Sequence, residues 1–108
     1  MSLSIPKPYQ RMKETHPDLV AAYEGLAAQC AAAGPLDGKQ LALCKLAISL
    51  GAGLEGAAHS HVRKALEAGA SPAEILHVAT ITAPTLGFPT MMRCRGWVCD
   101  VLESQRDP

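Results

Sequence analysis

Two glycines, Gly51 and Gly53, interrupt an otherwise helical pattern, and their position restricts the fold more than any other feature of the chain. Before them, Leu43, Leu46, Ala47 and Leu50 recur at the spacing that places side chains on one face of an α-helix. After them comes Leu54 to Gly69, LEGAAHSHVRKALEAG, in which Leu54, Ala57, Ala58 and Ala65 share a side. A glycine pair ends a helix and turns the chain in very few residues. The two runs are therefore expected to fold back on one another as an antiparallel hairpin. Because its first arm is nearly all apolar, that arm should lie at the centre. No run anywhere alternates with period two, so nothing calls for a sheet.

The flanking segments fit the same all-α reading. Pro17 and Asp18 suit the first turn of a helix capped by Thr15 or His16, and Leu19, Tyr23, Leu26 and Cys30 form its apolar stripe as far as Gly34-Pro35. Asp37 or Gly38 opens the first arm of the hairpin, and Gly69 closes the second. Ser71-Pro72-Ala73-Glu74 is a capping box with proline at the first helical position, predicting a helix from there to about Pro84. Thr85 to Pro89 reads as a loop or kink, and Met91, Cys94, Val98 and Val101 mark a last helix to about Glu103. Gly96 inside that helix suggests a close neighbour. Residues 1–14, with Pro6 and Pro8, read as an extended arm, and residues 15–108 as one helical domain.

Bulk properties narrow the function. Ten basic and ten acidic side chains cancel, with no block of like charge, so nucleic acid and anionic lipid are not expected partners. No apolar run approaches the roughly 18 residues of a membrane span. The four cysteines are dispersed, without a CxxC pair or a secretory signal, which implies reduced thiols, a cytoplasmic setting and small core residues rather than redox centres. A chain of 108 residues buries only about two-thirds of its unfolded surface, so self-association would help it.

Proton-transfer groups concentrate at the start of the second hairpin helix. Glu55 and His59, one turn apart, face the same way and make a candidate acid–base pair; the bland alternative is a surface pair worth about 0.3 kcal/mol. His61 points to another side, among small apolar residues, where the bland alternative is a buried imidazole satisfied by a carbonyl. His59 and His61 point about 160° apart, which argues against one metal ion shared among Glu55, His59, His61 and His77 within a single chain. No metal or cofactor is expected. Met91, Met92 and Trp97 are either core or the lining of an apolar pocket.

The run from Leu36 to Leu102 resembles the carboxymuconolactone decarboxylase family, which includes the AhpD-like alkylhydroperoxidases. The resemblance is densest in HVRKALEAGASPAEI, His61 to Ile75, and continues in the LGFP of Leu86 to Pro89. It implies an AhpD-like all-α domain built on a helical hairpin, assembled as trimers or hexamers with the pocket near subunit contacts. The peroxidase branch of the family carries CxxC, a histidine four residues later and a relay glutamate on the preceding helix. In register with His61 these positions are Leu54, Ala57 and Ala42, so only the histidine matches. The decarboxylase branch lacks the cysteine pair and keeps the histidine. The resemblance thus implies cofactor-free loss of carbon dioxide from a small lactone acid, with His61 as proton donor, Glu55 and His59 as a second proton-transfer pair, and Arg63 as a contact for the substrate carboxylate. The alternatives are peroxide reduction through a cysteine such as Cys44 or Cys94, and a non-catalytic binding or scaffold subunit.

Overall fold

The computed structural model describes residues 5–106, and every element among them is a helix. The chain divides into two compact units, Met1–Leu36 and Asp37–Pro108.

The first unit pairs α1 (Lys7–Thr15) with α2 (Pro17–Ala32). Most of the expected N-terminal arm is therefore helical; its first four residues lie outside the described ones. The prolines that suggested an extended arm sit at the N-cap and in the first turn, where no intrahelical donor is needed. His16 links the helices, giving its amide to Met12 O at 2.8 Å and taking that of Val20 at 3.1 Å. Tyr9 Oη donates to the Glu24 carboxylate, and that bond raises the phenol above its ordinary range. Only Val20 of α2 is buried. Leu19, Tyr23 and Leu26, the expected apolar stripe, are each more than half exposed, because α1 is a polar helix that buries nothing of its own.

The second unit holds the predicted hairpin. In it α3 (Gly38–Gly51) packs along α4 (Glu55–Glu67), followed by α5 (Pro72–Thr80), a single turn α6 (Ala83–Leu86) and α7 (Phe88–Arg106). At the hairpin tip Gly53 takes φ +72, which lets the Leu54 amide reach Ser49 O at 3.0 Å. The core consists of Leu46 and Leu50 from α3, Ala58, Val62 and Ala65 from α4, Ile75 and Ala79 from α5, and Cys94, Val98 and Val101 from α7. All recur at three- or four-residue spacing, as one-sided helices must. Burying Val62 or Leu46 completely stabilises the fold by about 1.5–3 kcal/mol each. The alanines keep the helix surfaces low enough for close approach.

The capping box forms as read: the Glu74 amide donates to Ser71 Oγ at 3.1 Å and the Ser71 amide to Glu74 Oε1 at 2.9 Å. Lys39 Nζ reaches the other carboxylate oxygen at 2.9 Å, tying the start of α3 to that of α5. These bonds, the Ser71 amide first, hold the Glu74 carboxyl below its ordinary range. Helix α5 stops at Thr80, short of the expected Pro84, because Pro84 has no amide to offer the preceding turn. Among the described residues nothing lies within 4 Å of where a Cβ on Gly96 would sit, so none of them is the close neighbour inferred from it. Of the cysteines only Cys94 is a core residue. Cys44 on α3 and Cys30 on α2 are both exposed.

Candidate functional site

Helix α4 presents its histidines in two directions, as the spacing requires. Its orientation is set by Ala58, Val62 and Ala65, which have no exposed surface and face α3 and α7. His59 and His61 flank this buried line.

On the His59 side, Glu55 and His59 lie one turn apart as expected, yet the hydrogen bond of the imidazole goes elsewhere. His59 Nε2 sits 3.1 Å from Oδ2 of Asp100 on α7. Ligand-type atoms of Glu55, His59 and Asp100 all fall within 4.8 Å of one another. Asp100 is held there because its neighbour Val101, with Val98, locks α7 into the core. Arg63 continues the same stripe one turn beyond His59 and is half-buried.

On the other side, His61 is partly buried, and its Nδ1 is shut off from solvent without a hydrogen-bond partner among the described residues. Burial first, then the charges of Lys64 and Lys45, pull this imidazole below its ordinary pKa of 6.5. Near neutrality the free ring is therefore mostly uncharged, a base with two ammonium groups nearby. A carbonyl partner, the bland expectation for this residue, is not present at Nδ1 among the described residues. His61 is not part of the Glu55–His59–Asp100 group.

The site residues read from sequence thus fall into two places on one helix. Sequence reasoning missed Asp100, whose meeting with His59 depends on how α7 registers against α4, a relationship no local pattern encodes. It also missed Lys45, although a lone charge in the apolar run LALCKLAISL was a signal. Met91, Met92 and Trp97 do not form one lining: Met91 is buried and Met92 half exposed. Arg93 stacks over the Trp97 ring, 5.1 Å from its centroid.

Among the described residues no helix is long and apolar enough to cross a membrane. No curated protein and no solved structure matches the chain. The model of the carboxymuconolactone decarboxylase family matches residues 17–100, from the first residue of α2 to Asp100, and so begins earlier than the resemblance at Leu36 implied. With an all-helical fold, a central hairpin, and a match over most of its length, the chain belongs to the carboxymuconolactone decarboxylase family.

Proposed function

We propose that this protein carries out cofactor-free acid–base chemistry at His61 on a small carboxylate, lactone or carbonyl compound, with decarboxylation of a lactone acid as the reference reaction. The observation that supports this reading is the condition of His61. It is a sheltered imidazole with Nδ1 unengaged among the described residues, with Lys45 and Lys64 near enough to depress its basicity, and the sequence resemblance aligns it with the family's histidine. A ring serving only to fill space would normally satisfy that nitrogen.

The chemistry follows from charge. An anionic substrate is drawn toward the two ammonium groups, and its carboxylate offsets them, so the imidazole gains basicity and takes up a proton as the complex forms. The bond to the carboxylate carbon then breaks, and its electron pair moves onto the lactone carbonyl as an enolate. The lysines counter the charge that builds on oxygen, and the imidazolium returns its proton to carbon. Glu55 and His59 are a second proton-transfer pair on the other side of α4, now with Asp100 to orient the ring, and Arg63 is the anion contact for that side. The catalytic domain is taken as residues 15–108, acting in the cytoplasm as a homo-oligomer. Large exposed apolar residues of the second unit, including Ile48, Ile81 and Phe88, support self-association.

The test is carbon dioxide release from small lactone acids by a chain in which all four cysteines are replaced. Turnover that survives this change and disappears in His61→Ala supports the proposal. Peroxide turnover with a thiol donor that depends on the exposed Cys44 would replace it with the peroxidase reading. Absence of both, with no ligand raising the melting temperature, would leave a scaffold.

A further inference from the structure

We propose that Glu55, His59 and Asp100 form a binding site for one divalent transition cation of the zinc type. The inference goes beyond the His61 chemistry and does not rest on it.

Three features carry it. The first is the donor set: two carboxylates and one imidazole, drawn from two helices, with their ligating atoms mutually within 4.8 Å. Donors about 2.0–2.1 Å from a shared ion lie about 3 Å from one another. The separation of His59 Nε2 from Asp100 Oδ2, 3.1 Å, already has that value. The Glu55 carboxylate, one turn up the same helix, needs only a side-chain rotation to close the third edge.

The second feature is surplus charge. Among the described residues neither carboxylate is ion-paired to a lysine or arginine, Arg63 included, so one imidazole faces two carboxylates and cannot neutralise both even when protonated. A divalent cation does so, and it replaces the repulsion between Glu55 and Asp100 with two bonds.

The third is the frame. His59 lies between Ala58 and Val62, and Asp100 between Val98 and Val101, flanking residues that are buried or nearly so. The backbone positions of both ligands are thus fixed by the core, while their side chains remain accessible, at 24% exposure for His59 and 59% for Asp100. An ion can enter without unfolding anything, and water can complete its coordination.

The imidazole nitrogen selects against magnesium and calcium, which prefer oxygen alone, and in favour of zinc, cobalt or nickel. A bound cation would occupy the Nε2 lone pair and so compete with proton transfer by His59, leaving His61 on the far side of α4 unaffected.

Titration of the full chain with cobalt(II), followed by its visible absorption and by calorimetry, tests the site. One saturable equivalent is expected, without the near-ultraviolet band of a thiolate ligand, and zinc should displace it. Since losing even an outer partner of a metal ligand typically weakens binding about 10–100-fold, Glu55→Gln and Asp100→Asn should each weaken it by at least as much. Both changes preserve shape at partly exposed positions, so folding is not at stake. His61→Ala should bind cobalt as the parent does, which separates failure here from failure of the catalytic proposal. No saturable binding, unchanged affinity in the Glu55 and Asp100 variants, or a thiolate band would each overturn the site.

Discussion

His59 and Asp100, 41 residues apart in the chain, meet with Nε2 and Oδ2 3.1 Å apart across the contact between α4 and α7. Because the aspartate side chain is more than half exposed, water screens the pair, and it adds little to the fold. Asp100→Ala should therefore lower stability by less than about 1 kcal/mol in urea denaturation. A loss several times larger would make the contact a structural tie between helices rather than part of a site.

His61 links stability to pH. Its folded pKa is lowered by burial and by Lys64 and Lys45, so between that value and the ordinary 6.5 the unfolded chain binds the extra proton. The contribution of His61 is fully present above 6.5 and is lost as pH falls toward and through the lowered value. Denaturation midpoints measured through this window should drop as pH is lowered in the parent, and drop less steeply in His61→Gln. Equal slopes would mean the ring is not depressed.

The capping box offers a cleaner energetic test. Ser71 Oγ satisfies an otherwise orphaned amide of α5, and replacing a serine cap by alanine typically costs about 1 kcal/mol. Ser71→Ala should lower the melting temperature accordingly. No change would imply that water satisfies the Glu74 amide equally well.

Two glycines should respond in opposite senses to alanine. At Gly53 an added methyl has room, 3.7 Å from Arg93, but φ +72 is left-handed backbone, where a side chain costs about 1–2 kcal/mol. At Gly96 the methyl meets nothing within 4 Å among the described residues, and alanine's better helix propensity is worth about 1 kcal/mol. Thermal melts of Gly53→Ala and Gly96→Ala should move down and up, respectively. A fall at Gly96 would reveal a neighbour there, such as a second copy of the chain.

The hairpin was legible because its signals are local: glycines at the tip, helical spacing on both arms, and a capping box immediately after. The directions of Glu55, His59 and His61 were legible for the same reason, since angle around a helix follows from residue number. Asp100 was not, because its place depends on how two helices distant in sequence slide against each other. The stripe of Leu19, Tyr23 and Leu26 misled in a different way: periodicity shows that a helix has an apolar face, and cannot show whether anything covers it. Residues 7–15 misled because prolines that forbid the interior of a helix are welcome in its first turn.

The pH dependence of lactone-acid decarboxylation by the cysteine-free chain bears hardest on the role given to His61. With this imidazole as the proton donor, kcat/KM should decline as pH rises above the lowered pKa of the free ring. The decline in kcat should begin at higher pH, because bound carboxylate offsets Lys45 and Lys64. Both profiles should vanish with turnover in His61→Gln. Turnover in that variant with the parent's pH profile would contradict the assignment and place the chemistry elsewhere on the molecule.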